Sequence, residues 1–384
     1  MSSAARVSEI APFQVMEVQT AARALEAEGR SVVHLEIGEP DFPTPEPVLE
    51  AARQSLLAGD LYYTSALGIV PLRQAIAGWY GTHFGVELDP ERVIVTAGSS
   101  AALLLVMALL VDRDQEVLMA DPGYPCNRHF VRVLEGRAVG VPVGPETAYQ
   151  LTPELVARHW NPRTRAVLIA SPSNPTGTHM PTATLQAIAE VVAQRGGELI
   201  VDEIYLGLSY GDRPPSALRF LDRAYVINSF SKYFNMTGWR LGWLVAPPGV
   251  VREVEKLAQN LYISPATLSQ RAALACFLPE TLAILEARRS EFERRRDLLL
   301  PGLRALGFGV PVTPTGGFFI YADCSRFSRD SMAFCRDLLR ETGVAITPGA
   351  DFGQYRAGEH LRIAYTVAQA KLEDGLARLQ RYLV

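Results

Sequence analysis

Between residues 93 and 245 the sequence repeats one unit: a short apolar run, a polar or glycine-containing turn, then an amphipathic stretch. The runs lie at 93–96, 117–120, 166–170, 199–201, 225–228 and 241–245. Continuous apolar runs of three to five residues read as strands buried on both faces, and their alternation with helical stretches predicts an α/β fold around a mostly parallel sheet. In such sheets ligands bind outside the carboxyl ends of the strands, so the segments after the first five runs are expected to line one crevice.

Those five segments are rich in chemistry. Gly98-Ser99-Ser100 opens a helix after the first run, and Asp121-Pro122-Gly123-Tyr124 follows the second. Ser171-Pro172-Ser173-Asn174-Pro175-Thr176-Gly177 follows the third, Asp202-Glu203-Ile204-Tyr205 the fourth, and Ser229-Phe230-Ser231-Lys232 the fifth. Each has an ordinary explanation. Serine at a helix start usually caps it. Asp202 next to a buried strand needs a partner, for which a structural salt bridge suffices. Tyr124 alone reads as core, and Asn174 before Pro175 is turn chemistry that admits a cis bond. Together they describe one ligand. Free amides at a helix start, with Ser229, Ser231 and the downstream Arg240, suit a phosphate. Asp202 suits a protonated ring nitrogen.

Lys232 is the most informative of these residues. Of 37 basic residues only three are lysines, and Lys256 and Lys371 sit in charged, helix-like runs where a solvated face is the natural reading. Lys232 instead follows a buried run. Loss of solvation there lowers the amine's pKa and frees it to attack a carbonyl.

Composition removes other classes. With 37 basic against 41 acidic residues, the net charge of −4 gives no basic field for nucleic acid. The four cysteines, Cys126, Cys276, Cys324 and Cys335, have neither metal-ligand spacing nor the density of a disulfide framework. Residues 1–18 are interrupted by Arg6, Glu9 and Glu17, so no secretory signal is expected. The longest apolar run, 101–111, is too short to span a bilayer, and a soluble cytoplasmic protein is expected. At 384 residues the chain exceeds one hydrophobic core, so two domains are expected.

Outside the repeat, Phe13, Met16, Ala21, Ala24 and Leu25 form a helical stripe closed by Gly29, and 32–37 reads as a strand. The 38–45 stretch, with three prolines, is an ordered extended loop. After Pro279, residues 280–300 read as a long, charged, exposed helix connecting domains. Residues 316–321 and 360–366 read as strands, 331–341 as a helix, and the closing helix, 369–382, carries Leu372, Leu376, Leu379 and Leu383 on one side.

A phosphate cup, an acid for a ring nitrogen and a carbonyl-accepting lysine all point to pyridoxal 5′-phosphate. The ordered set, from Gly38-Glu39-Pro40-Asp41 through Tyr63, Ser171 to Gly177, Asp202 to Tyr205 and Ser229 to Arg240, to Leu361-Arg362-Ile363, resembles the class I/II aminotransferases of fold-type I. The resemblance implies an aspartate aminotransferase-like fold. It divides the chain into an N-terminal arm (1–44, with part of a small domain), a large cofactor-binding domain (45–275) and a C-terminal small domain (276–384). It further implies that Lys232 forms the Schiff base with the cofactor, Arg240 pairs with the phosphate in a cup made by Ser99, Ser100, Ser229 and Ser231, and Asp202 holds the pyridine nitrogen protonated. Tyr205 and Asn174 are implied at the phenolic oxygen, Tyr124 on the ring face, and Arg362 on the substrate α-carboxylate beside Gly38. A homodimer is implied too, with Tyr63 reaching the partner's phosphate.

The expected reaction moves the amino group of an L-amino acid to a 2-oxo acid such as 2-oxoglutarate in two ping-pong half-reactions. The freed Lys232 acts as general base and acid. One aspartate-using branch carries a lysine where Ser100 stands here, which favours a neutral donor. Two competitors stand beside this reading. One is a lyase or decarboxylase on the same scaffold. The other is a regulatory binding protein, which would need a DNA-binding module that the residues before Gly38 are too few to build.

Overall fold

The computed structural model describes residues 3–383. Three sheets organise it. Strand β1 (Val33–His34) is followed by the strands of the largest sheet: β2 (Val93–Thr96), β3 (Glu116–Asp121), β4 (Arg137–Pro142), β5 (Thr164–Ala170), β6 (Glu198–Asp202), β7 (Tyr225–Ser229) and β8 (Gly242–Val245). Their spatial order is β2-β8-β7-β6-β5-β3-β4. All neighbours from β7 to β4 are parallel, and β8 alone runs antiparallel, between β7 and β2. The six runs read from sequence are therefore strands of one sheet.

Strand β4 escaped that reading for a physical reason. It lies at the sheet edge with only Val141 buried, and its glycine and proline carry no strand signal. Helices cover both faces. The helix Ser99–Leu110 is apolar nearly all round and buries Leu103, Leu105, Val106, Met107 and Leu110, as a helix enclosed by the fold must.

Strands β9 (Phe319–Asp323), β10 (Val344–Ala345), β11 (Thr347–Pro348) and β12 (His360–Ala364) form the remaining sheets, β11-β12-β9 antiparallel and β1-β10 parallel. The strand expected over 32–37 is only two residues long because the chain changes partner there. The Leu35 amide donates to Ala345 O at 2.9 Å, while its carbonyl accepts from Ala364 N at 2.7 Å, so Leu35 joins the two small sheets. Likewise β9 starts at Phe319 rather than 316, since Gly317 has φ +71° and turns the chain.

The first helix, Gln14–Ala27, buries Val15 and Ala22, with Val18 and Leu25 partly covered, rather than Met16, Ala21 and Ala24. The closing helix, Gln369–Leu383, turns Leu372 and Leu379 fully inward, as its spacing predicts. Among the described residues all four cysteines are free, no cluster of His, Cys, Asp or Glu is arranged to hold a metal, and no helix is long and apolar enough to cross a membrane.

The long charged helix runs from Pro279 to Leu306, about 42 Å at 1.5 Å per residue, and is less exposed than its charges suggest. Arg295 is 3% exposed and forks onto Asp41, with Nη1 to Oδ1 at 2.7 Å and Nη2 to Oδ2 at 3.1 Å. Its guanidinium also lies 4.9 Å from the Phe42 ring and 5.3 Å from the Phe292 ring. Arg288 covers the same Phe42 at 5.2 Å and donates to Pro43 O and to Asn235 Oδ1. The 38–45 loop is thus held by this helix through ion pairs and stacking. Replacing Arg295 with alanine strands Asp41 and uncovers Phe42. A loss of about 3 kcal/mol is expected, measured as a lower denaturant midpoint.

Candidate active site

The carboxyl ends of β2, β6 and β7 and the loops after β3 and β5 meet the 37–39 segment, the first helix and β12 around an open cleft of about 620 Å³. Lys232 stands in it because β7 ends in a tight turn. The Ser229 hydroxyl accepts the Ser231 amide at 3.0 Å, and Phe230 is buried among Trp243, Phe234 and Phe277, which turns the next residues towards the cleft. Lys232 Nζ donates to the Gly38 carbonyl at 2.7 Å and sits 5.7 Å from the Phe318 ring centre. Burial lowers its pKa to about 8, partly opposed by the nearby Glu39 carboxylate.

Asp202 ends β6, 4% exposed, and accepts one hydrogen bond, from Ile204 N at 3.1 Å. Burial raises its pKa to about 7, against that amide and the charge of Lys232. None of its contacts is a salt bridge, so the structural ion pair considered from sequence is not made. A buried carboxylate facing a cleft with one amide donor is suited to a cationic N–H supplied by a ligand.

At the other end of the cleft the helix Ser99–Leu110 begins without side-chain capping, so neither serine performs the ordinary capping role. Gly98, at φ +81°, makes this possible: a Cβ there would lie 2.6 Å from Arg240 Nη2. Arg240, itself left-handed at φ 51°, donates to Thr237 O at 3.0 Å and lies 3.4 Å from Ser231 Oγ. A helix N-terminus, two free hydroxyls at Ser99 and Ser100, Ser231 and a guanidinium together form an anion cup.

Arg362, on β12, is 2% exposed, and burial lowers its pKa to about 10. Its Nη1 donates to Asn174 Oδ1 at 3.1 Å and its Nη2 to Glu36 O at 2.5 Å, while Nε has no partner. The Phe319 and Phe352 rings lie 4.4 and 4.8 Å from the guanidinium carbon. Among the described residues no carboxylate comes within ion-pair distance of it. A fully buried guanidinium with an idle N–H and no anion is arranged for an anion that arrives from the cleft.

Tyr124, Tyr205 and Asn174 also line the cleft; Tyr205 packs edge-on against Phe318 and Phe319, and the Asn174-Pro175 bond is cis. Gly38 has no room for a side chain, since a Cβ would meet the Phe319 ring at 2.6 Å. Two sequence-selected residues lie elsewhere. Ser229 does not line the cleft, because its hydroxyl faces the Ser231 amide and the Leu241 carbonyl. Tyr63 is 80% exposed and does not line this chain's own cleft. Sequence reading missed Phe319 and Phe352, which sandwich Arg362, and the wall made by Phe13, Val15 and Met16. Asp351 accepts the Gln14 and Val15 amides and so holds that wall in place, a contact across more than 330 residues with no local signature.

These groups fit pyridoxal phosphate: an anion cup, a carboxylate lacking a cationic partner and an amine with depressed pKa surround one flat space. Comparison with known proteins agrees. The family described as aminotransferase class I and II matches residues 30–379. The valine–pyruvate aminotransferase of Mycobacterium tuberculosis is 41% identical over 376 residues, 97% of each chain. A crystal structure of an aminotransferase from the same organism superposes with a TM-score of 0.96 at 41% identity, covering 100% of this chain and 99% of that one. The aspartate aminotransferase of Thermus thermophilus with maleate gives 0.94 at 35% identity over 100% of both. The chain therefore belongs to the class I and II aminotransferases, fold-type I enzymes that depend on pyridoxal 5′-phosphate and move an amino group between an amino acid and a 2-oxo acid.

Proposed function

We propose that this aminotransferase takes its amino group from a neutral L-amino acid and passes it to a short 2-oxo acid in two ping-pong half-reactions, with pyruvate favoured over 2-oxoglutarate. One observation carries the substrate reading: the cations lining the cleft are Lys232, Arg240 and Arg362, and each already has a task. Among the described residues no further positive charge lines the cleft for a second carboxylate. The opposite wall is apolar, with Phe13, Val15, Met16 and Leu103, and Ser100 adds no charge. The name of the valine–pyruvate relative supports the same pairing.

In this reading Arg362 and Asn174 grip the α-carboxylate, while the missing side chain of Gly38 leaves room for the Phe319 ring that packs on Arg362. Asp202 holds a proton on the cofactor's ring nitrogen, Tyr205 and Asn174 face its phenolic oxygen, and Tyr124 covers one face. Ser99, Ser100, Ser231 and Arg240 hold the phosphate; Ser229 shapes the turn that presents Ser231. When bound, the cofactor supplies an electron sink that makes the substrate Cα proton acidic. Lys232, its amine half in the neutral form near pH 8, removes that proton and returns it one position away. The Gly38 carbonyl holds the amine at hand.

The division into 1–44, 45–275 and 276–384 belongs to the same reading, as does a homodimer. Tyr63 at 80%, Tyr62 at 78% and Leu57 at 71% exposure leave an apolar surface that a second copy would cover. Tyr63 would then reach the partner's phosphate.

The decisive experiment follows the visible absorption of the purified enzyme while single amino acids, then pyruvate or 2-oxoglutarate, are added. Neutral donors should bleach the band, and pyruvate should restore it faster than 2-oxoglutarate; a response confined to aspartate and glutamate would overturn the donor reading. Lys232→Ala is expected to lose the covalent cofactor band and at least about a thousandfold in turnover, measured in single half-reactions. Arg362→Ala should raise KM for every amino acid on the order of a hundredfold and leave cofactor content unchanged. The rate at which cofactor-free enzyme captures pyridoxal phosphate should rise as pH passes through about 8 and then level, because the neutral amine is the reactive form. An unperturbed lysine would keep accelerating beyond pH 10.

A further inference from the structure

One buried charge cluster takes no part in the chemistry above. Glu36 is completely buried, and its Oε2 has no hydrogen-bond partner. Its Oε1 lies 2.8 Å from His34 Nδ1, two residues away on the same side of the chain. The other imidazole nitrogen, Nε2, lies 3.2 Å from Glu26 Oε1 on the first helix. The Glu36 main chain meanwhile belongs to the substrate site: its carbonyl accepts from Arg362 Nη2 and, at 2.8 Å, from the Thr347 hydroxyl. The Glu36 carboxylate also acts electrostatically on Arg362.

We propose that His34 and Glu36 form a charge pair that positions Arg362 and keeps it available to the α-carboxylate of the substrate. This rests on the assignment of Arg362 given above. The physical argument concerns competition. An uncompensated anion buried beside Arg362 attracts the guanidinium and repels the incoming carboxylate, whereas the same anion neutralised by a histidinium does neither. Glu36 and Glu26 are the charged groups acting on His34. Among the described residues no cation acts on His34: β10 presents Val344 and Ala345, and Arg378 of the closing helix is occupied by Asp374 and Ser31. On its other side Arg362 feels Asp351, Tyr205 and Tyr124, which belong to the cleft.

The hydrogen bond to Glu36 raises the His34 pKa from 6.5 to about 8, against the cost of burial. A raised histidine pKa means that the pair is fully formed below pH 6.5 and lost as pH rises through about 8. His34 and Glu36 are thus positioning residues, acting through Arg362 without touching substrate.

The test uses the intact, cofactor-loaded enzyme and 3-methylbutanoate, an unreactive carboxylate, as competitive inhibitor from pH 6 to 9.5. His34→Gln should weaken inhibition about tenfold at pH 6.5, flatten the step near pH 8 and change kcat by less than about twofold. Glu36→Gln removes the anion, so it should bind at least as tightly as the parent without that step. The double variant should follow Glu36→Gln. This rescue separates positioning from mere structural support, under which both single variants would suffer alike. Parent-like affinity and pH profile in His34→Gln, or equal damage in both single variants, overturns the proposal. Arg362→Gln serves as reference: if it leaves inhibition unchanged, the α-carboxylate assignment itself has failed. Should His34→Gln not fold, Glu36→Gln alone decides, because retention of the step near pH 8 there is fatal.

Discussion

The site depends on keeping one amine poorly solvated. Lys232 is carried to the rim of the sheet by β7, seated above the Phe318 ring and tethered to a single main-chain carbonyl, that of Gly38. A lysine in water holds its proton at neutral pH; this one is brought to the edge of releasing it because burial disfavours the charged form. The neighbours preserve this balance. Glu39 keeps the shift moderate, and among the described residues neither Asp202 nor Arg362, both buried, has an oppositely charged side chain within ion-pair distance. Three charged groups in one cleft each lack the partner that a purely structural role would have supplied.

Much of this was legible in the sequence because sheet and site share one cause. Apolar runs report strands buried on both faces, and the residues after those runs must lie along one edge, so the sequence alone gathers Ser99, Tyr124, Asn174, Asp202 and Lys232. What stayed hidden depends on contacts between distant parts of the chain. The edge strand β4 has one buried residue and no apolar run. Arg295 reads as one charge among many in a helix and turns out to be the buried clamp on Asp41. Ser229 carries the same composition signal as Ser231, yet the tight turn directs one hydroxyl to the backbone and the other towards the cup. The first helix shows a plausible stripe that is rotated from the true one, since Asp351 rather than hydrophobic spacing fixes its start.

The anchoring of the 38–45 loop links substrate recognition to the rest of the molecule. Gly38 touches Lys232 through its carbonyl and Phe319 through its missing side chain, and three residues later Asp41 is tied to the long helix. Phe42, held between Arg288 and Arg295, stiffens the connection. Small displacements of that helix therefore reach the carbonyl that aligns the amine. Rigid placement of a reacting group to within fractions of an ångström is what such second-tier packing provides.

The antiparallel strand β8 has a consequence for how the chain assembles. Its insertion between β2 and β7 means that β2, the earliest strand of the large sheet, has no partner until residues 242–245 have been made. The end of the cleft proposed for the phosphate rests on that strand, because Gly242 lies directly behind Ser99, where a Cβ would come within 2.7 Å of the Ser99 amide nitrogen. The amides at 99–100, after β2, and the amine at 232, after β7, are joined across the sheet only through β8. A chain ending at Arg240 holds every residue proposed for that cup and lacks the strand that joins its two halves.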